Sequence, residues 1–179
     1  MEKSYKEYLH KVTTFIFDVD GVLTDGSLHI TSEGHMHRTM NVKDGYAMKE
    51  ALNQGFNVSI ISGGTDEGVR SRLQALGIED VALGAHNKIE YLQSYIDSKK
   101  INLEHVLYMG DDLPDYPVML KVGLPSCPQD AVKEIKEISK YVSHKSGGKG
   151  CVRDVIEQVL KVQGKWMTGT TTFDARLKK

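Results

Sequence analysis

Two aspartates, Asp18 and Asp20, stand two residues apart after the apolar run Phe15-Ile16-Phe17 and immediately before Gly21. The run has the aromatic and β-branched character of a buried strand, and Gly21 marks where the chain turns or passes close to something. Carboxylates at the carboxyl end of a buried parallel strand sit where open α/β sheets bind their ligands. Strand geometry points residues i and i+2 to one side, and the turn at Gly21 can pull Asp20 off that direction. One carboxylate is then placed to attack and the other to handle a proton. An Asp pair that only caps a turn is the alternative.

Three further segments follow in order. The apolar strand Val58–Ile61 runs into Ser62-Gly63-Gly64-Thr65, a hydroxyl and close backbone N–H groups that suit phosphate oxygens. An ordinary strand-to-helix turn has the same composition. Lys88 opens a helical pattern whose apolar positions are Ile89, Leu92 and Ile96; a solvated surface charge is its plainer reading. Finally, His105–Met109 runs into Gly110-Asp111-Asp112-Leu113-Pro114-Asp115. Three carboxylates crowded at a strand end repel one another unless a cation neutralises some of them.

Together, these four segments resemble the motifs of the haloacid dehalogenase (HAD) superfamily, whose first motif is a hydrophobic strand, Asp, any residue, Asp, Gly. The resemblance implies phosphoryl transfer with Asp18 as covalent nucleophile and Asp20 as general acid/base. A carboxylate suits this because an acyl phosphate forms readily and is easily hydrolysed. It implies that Ser62, with Gly63 and Gly64, binds the phosphate and that Lys88 neutralises phosphate and nucleophile. Asp18 and Asp111 would ligate Mg²⁺ through side chains and Asp20 through its backbone carbonyl; oxygen-only ligands suit that ion. Asp112 and Asp115 fall to supporting positions or to a helix N-terminus, where the dipole favours them.

These residues need a scaffold, and the chain supplies alternating strands and helices. Strands are expected near 13–18, 57–61, 80–83, 105–109, 122–124 and 140–142. Helices are expected near 44–54, 66–76, 87–98, 113–121, 130–137 and 151–162. Leu28–Ile30 and His35–Met40 flank Thr31-Ser32-Glu33-Gly34 and read as a β-hairpin. The expected fold class is α/β: a Rossmann-like HAD core with a mainly parallel sheet, helices on both faces and a hairpin flap. Neither the interval from Asp20 to Ser62 nor that from Ser62 to Lys88 has room for a separate cap domain. One domain over 1–179 is expected, with a core at about 10–163 and an aperiodic, mobile tail at 164–179. The 179 residues are 40% hydrophobic with a net charge of −1, enough for one core and without the basic surface that nucleic acid or an anionic membrane requires. Cys127 and Cys151 are too few for a disulfide framework and read as free buried thiols. No signal peptide and no apolar run of transmembrane length is read, so the cytoplasm is the expected compartment.

Segments beyond the four motifs resemble one subgroup, the 3-deoxy-D-manno-octulosonate 8-phosphate (KDO 8-phosphate) phosphatases. They are Asn41–Tyr46, Gly110–Met119, Lys121–Leu124, Gly147–Asp154 and Leu160–Lys165. This resemblance implies a capless, magnesium-dependent homotetramer acting on a small sugar phosphate in lipopolysaccharide synthesis, with hairpins and tails shared between subunits. It places Asn41, Val42, Lys43, Asp44 and Gly45 against the sugar acid, with Lys49 and Arg72 as further cations. Such cations make sense, since the substrate carries a carboxylate and a phosphate. Arg70 lies close enough to share the role of Arg72, and His35 and His37 alternate on the flap. Two positions depart from the family pattern: Gly64 stands where many members have arginine, and Pro114 stands inside the fourth motif. Two alternatives stay open: a nine-carbon 2-keto-3-deoxy sugar phosphate as substrate, and a noncatalytic HAD-like oligomerisation module.

Overall fold

A computed structural model describes residues 5–168. The chain opens with a short helix α1 (Tyr5–Leu9), which the periodicity did not predict, and enters β1 (Thr14–Phe17). A hairpin, β2 (His29–Ile30) and β3 (Met36–His37), precedes α2 (Val42–Asn53) and β4 (Asn57–Ile61). Then come α3 (Glu67–Ala75), β5 (Asp80–Ala82), α4 (Lys88–Lys99) and β6 (Val106–Met109). The chain continues through α5 (Tyr116–Met119), β7 (Leu124–Cys127), α6 (Lys133–Ile138), β8 (Tyr141–Val142) and α7 (Cys151–Val162).

Six strands form one sheet in the order β5-β4-β1-β6-β7-β8, with every pair parallel. Strand β1 is central, with Phe17 opposite Ile60 on one side and Met109 on the other. All four β1 residues are buried, as a strand covered on both faces must be. The carboxyl ends of β1, β4 and β6 therefore lie side by side, and Asp18, Ser62 and Gly110 follow them directly. This is the α/β architecture expected, and between Asp20 and Ser62 it holds the hairpin, α2 and β4, with no separate cap domain. Among the described residues, no helix is long and apolar enough to cross a membrane. Both cysteines are free and buried.

Two elements differ from expectation. Strand β7 lies at 124–127 rather than 122–124, because Gly123 N–H is spent on Leu103 O and the ladder begins only at Leu124, paired with Leu107. The helix expected over 113–121 is a single tight turn at Leu113–Asp115 followed by the short α5, with a proline near the start of each. The expected tail is ordered at its beginning: Trp166 packs against the core and Lys165 N–H bonds Leu160 O. Residues 169–179, the rest of the expected tail, lie outside the described residues.

Helix α7 buries Val152, Val155, Ile156, Val159 and Leu160, the i, i+3, i+4 stripe of an amphipathic helix. It packs against α2, whose matching stripe runs Ala47, Met48, Ala51 and begins, unexpectedly, with Asp44. The first residue flanking α7 is Gly150, which has no side chain to cap the helix, and Asp44 does so from the neighbouring helix. Its Oδ1 accepts a 2.7 Å hydrogen bond from Arg153 N–H, while its buried Oδ2 has no partner. Just before α7, Gly147 and Gly148 press against the loop after β1: a Cβ on Gly147 would lie 2.0 Å from Gly21 O. Gly148 N–H bonds Val22 O there, and Asn41 Nδ2 bonds Gly148 O.

Burial pushes the Asp44 carboxyl up to about 6, against the favourable bonds from the α7 N-terminus. Its folded value thus lies above the model-peptide 3.8. A raised value means stability that is present below about pH 4 and lost as pH climbs through about 6. Asp44→Asn removes this dependence. In chelator, the stability of the wild type relative to Asp44→Asn should fall by on the order of 2 kcal/mol between pH 4.5 and pH 7. Urea unfolding of both proteins at the two pH values measures it, and an unchanged difference would contradict the assignment.

Candidate active site

The loop after β1 sets the site's geometry. Asp18 Oδ1 accepts from Val19 N–H at 2.6 Å, which fixes the carboxylate, and Thr24 N–H closes the loop on Val19 O at 3.0 Å. Asp20 is extended and Gly21 takes φ +85°, a left-handed conformation that favours glycine. Only a hydrogen fits there: a Cβ on Gly21 would lie 2.0 Å from Asp111 Oδ2. The two acidic loops pack this closely because one of them has no side chain at the contact.

Lys88, the first residue of α4, reaches into the cluster with its side chain 6% exposed. Its Nζ donates to Asp18 Oδ2 at 2.6 Å and to Asp115 Oδ1 at 2.7 Å. Asp115 is fully buried and also accepts from Tyr108 OH at 2.6 Å and from Asp111 N–H at 3.1 Å. Asp18, Asp111 and Asp115 each present an oxygen within 4.8 Å of the others. Burial, followed by Asp115, Asp18 and Asp112, lifts the Asp111 carboxyl to about 7. Burial and Asp115 also raise Asp18, with Lys88 opposing them. Burial acts to lower Lys88, but Asp115 and Asp18 outweigh it and hold the ammonium protonated.

On the opposite side, Ser62 is 2% exposed and its Oγ accepts from Gly64 N–H at 3.2 Å. The cleft between the two sides, about 410 Å³, is lined by Asp18, Asp20, Ser62, Gly63, Lys88 and Asp111, among others. The six residues come from four separate segments of sequence. Asp112 caps the following turn through Leu113 N–H, the supporting part expected for it, whereas Asp115 is a full member of the buried charge cluster.

The sugar-acid segment is placed differently. Asp44 and Gly45 are buried between helices, where Asp44 serves α7 and Gly45 faces Arg72 and Leu76. Neither lines the cleft of its own chain. Asn41 caps α2 through Lys43 N–H, and Val42, Lys43 and Lys49 are exposed outside the cleft of their own chain. Arg72 lines a neighbouring cleft of about 280 Å³ together with Arg38. Arg70 is held by Glu67 and Val81 O. His35 and His37 are exposed on the hairpin.

Two contributors were not singled out from sequence. Tyr108 completes the charge cluster through Asp115, and Arg38 forms a two-pronged ion pair with Asp20: Nε to Oδ1 at 2.7 Å and Nη2 to Oδ2 at 3.1 Å. Tyr108 sits on β6 two residues before the acidic loop, a position that a closer reading of strand register could have found. For Arg38 the only signal was a cation at the base of the hairpin.

A parallel sheet with a carboxylate-bearing loop after its central strand, a Ser-Gly-Gly turn after the neighbouring strand and a lysine-bridged acidic cluster define a HAD-like hydrolase. Residues 78–155 match the family of haloacid dehalogenase-like hydrolases. The 3-deoxy-D-manno-octulosonate 8-phosphate phosphatase KdsC of Salmonella typhi is 39% identical over 154 residues, 86% of this chain and 82% of that one. The enzyme of the same name from Escherichia coli K12 is 38% identical over the same shares. The crystal structure of the Yersinia pestis phosphatase superposes with a TM-score of 0.90 at 30% identity, covering 94% of this chain and 91% of that one. The Moraxella catarrhalis phosphatase, solved with magnesium, phosphate and KDO, gives 0.85 at 31% identity over 97% and 95%. The chain belongs to the KdsC family of KDO 8-phosphate phosphatases.

The acidic cluster fits the cofactor of that class. Hard oxygen donors at Asp18 and Asp111, crowded enough to hold protons near neutrality, suit a small divalent cation that replaces those protons. Because burial lifts Asp111 to about 7 and raises Asp18 as well, Mg²⁺ affinity should fall as pH drops below about 7, roughly tenfold per unit at first and more steeply where both carboxyls are protonated. Calorimetry in two buffers of different ionisation enthalpy should find about one proton released per ion at pH 6 and little release at pH 8. Affinity that is flat from pH 5.5 to 7.5 would contradict this electrostatic account.

Proposed function

We propose that this protein is a magnesium-dependent phosphomonoesterase that hydrolyses KDO 8-phosphate to KDO and phosphate, as a single-domain cytoplasmic enzyme. The observation that carries this reading is Lys88 Nζ, anchored on Asp18 and Asp115 across the cleft from the Ser62-Gly63-Gly64 turn. That arrangement presents a cation, a hydroxyl and backbone N–H groups to a phosphoryl group, beside a carboxylate free to attack it.

Each residue then has a chemical task. Lys88, Ser62 and the N–H groups of Gly63 and Gly64 bind the phosphoryl oxygens. Val19 N–H and Lys88 hold the Asp18 carboxylate in line with phosphorus. Asp18, Asp111 and the Asp20 carbonyl would hold a magnesium ion, which would supply charge neutralisation for the transferring group. Asp18 forms a bond to phosphorus as the ester bond breaks, and Asp20 gives its proton to the departing sugar oxygen. Asp20 next takes a proton from water as that water attacks phosphorus and frees Asp18. Microscopic reversibility makes one group serve both steps.

We assign the sugar end to residues outside the cleft of their own chain, half-buried Asn41 and exposed Val42, Lys43, Lys49 and Arg72. We place them at the cleft of an adjoining subunit in a homotetramer. Exposed Leu28, Ile30 and Met36 on the hairpin supply the apolar surface for that contact.

The purified protein should release phosphate from KDO 8-phosphate only with Mg²⁺, and with higher kcat/KM than from nine-carbon keto sugar phosphates. Asp18→Asn should keep the melting temperature but lower kcat at least about a thousandfold, a barrier increase of about 4 kcal/mol. Turnover within tenfold of wild type, about 1.4 kcal/mol, would remove Asp18 as nucleophile.

A further inference from the structure

Arg38 lies at the base of the hairpin, 20 residues beyond Asp18 in sequence, with a side chain 9% exposed. All three guanidinium nitrogens are engaged. Nε and Nη2 hold the two oxygens of Asp20, and Nη1 donates to Asp66 Oδ2 at 3.2 Å. Asp66 is itself fixed, since its Oδ1 caps α3 through Gly68 and Val69 N–H. The guanidinium plane is thereby locked between the catalytic loop and the start of α3.

Its position relative to the phosphate turn is equally specific. A Cβ built on Gly64 would lie 3.3 Å from Arg38 Nη2, 3.5 Å from Asp20 Oδ2 and 3.7 Å from Ser62 Oγ. A side chain longer than a methyl at position 64 would displace the guanidinium. The glycine therefore provides the space in which Arg38 sits, and Nη2 is the nitrogen nearest both the turn and Asp20 Oδ2. Of the two prongs, Nε···Oδ1 is the shorter and Nη2···Oδ2 the longer.

We propose that Arg38 is the positioning residue for Asp20, holding its carboxyl group toward the departing oxygen while Nη2 turns to a phosphoryl oxygen of the bound ester. This rests on the phosphatase reading above. In the first step, an Asp18 oxygen bonds to phosphorus, the bond from phosphorus to the ester oxygen breaks, and that oxygen takes the proton from Asp20 Oδ2. In the second, water bonds to phosphorus, its proton passes to Asp20, and the bond between Asp18 and phosphorus breaks to release phosphate. Through both steps Nε stays on Oδ1 as a pivot. A fork of fixed donors can serve a carboxylate and a phosphoryl group at once, which a lysine ammonium cannot do with the same orientation.

Leaving-group chemistry separates this role from general support of the fold. An alkyl sugar phosphate needs its leaving oxygen protonated, whereas p-nitrophenolate departs without help. Single-turnover release of the alcohol or phenol, in saturating Mg²⁺, reports the first step alone. Arg38→Ala should slow release from KDO 8-phosphate at least about tenfold more than it slows p-nitrophenol release, the slowing common to both being the lost Nη2 contact with the phosphoryl group. Arg38→Lys should lie between. Asp66→Asn, which leaves Arg38 in the chain but loosens its lock at Nη1, should show the selectivity of Arg38→Ala in smaller measure and covers the case in which loss of the arginine unfolds the hairpin. Equal slowing of both substrates in the folded variants, or no slowing of either, would overturn the proposal. Absence of wild-type phosphatase activity would instead overturn the reading on which it rests.

Discussion

One ammonium group among three clustered carboxylates, two of them buried, is the constraint on which this site depends. Lys88 touches Asp18 and Asp115 at hydrogen-bond distance, and Asp111 lies within the same cluster. Fully ionised, three carboxylates against one lysine leave two negative charges, the deficit a divalent cation fills. Removing Lys88 would leave buried charge uncompensated, a defect that costs several kcal/mol. The cluster also requires a rigid frame, because its members come from β1, the start of α4 and the segment after β6. A central parallel strand flanked by two others provides that frame.

Much of this was legible in the sequence because the relevant signals are local. The apolar run before Asp18, the Ser-Gly-Gly turn after Val58–Ile61 and the acidic loop after Met109 each pair a strand with a chemical group in a few consecutive residues. Lys88 was legible as the first residue of a periodic helix, though not the fact that it bridges two aspartates. Parallel pairing followed from the alternation of strands with helices. The family resemblance fixed the order of these parts, and the comparisons with known phosphatases agree with it.

What escaped was long-range or depended on which way a side chain faces. Asp44 belongs to a segment resembling a substrate-binding one, yet it caps a helix that starts more than a hundred residues later. No local pattern encodes that pairing. Arg38 sits where the hairpin returns to the body of the protein, and its partners Asp20 and Asp66 are brought to it only by the tertiary fold. Strand β7 was misplaced because it carries Pro125 and Ser126 where a run of β-branched residues was sought. Proline is accommodated there because its carbonyl, rather than the missing N–H, bonds Lys140 N–H.

The contact between Gly147 and the carbonyl of Gly21 has a consequence for how the enzyme comes into being. The loop that carries Asp18 is braced from behind by Gly147 and Gly148, which are translated well over a hundred residues after it. At about 5–20 residues per second, the nucleophile waits on the order of ten seconds before its brace is even synthesised. During that interval the carboxylates lack the fixed spacing that binds a metal ion and a phosphoryl group. A nascent or prematurely terminated chain therefore cannot spend the cell's phosphate esters, and catalytic competence arrives with the completed fold rather than with the catalytic residue.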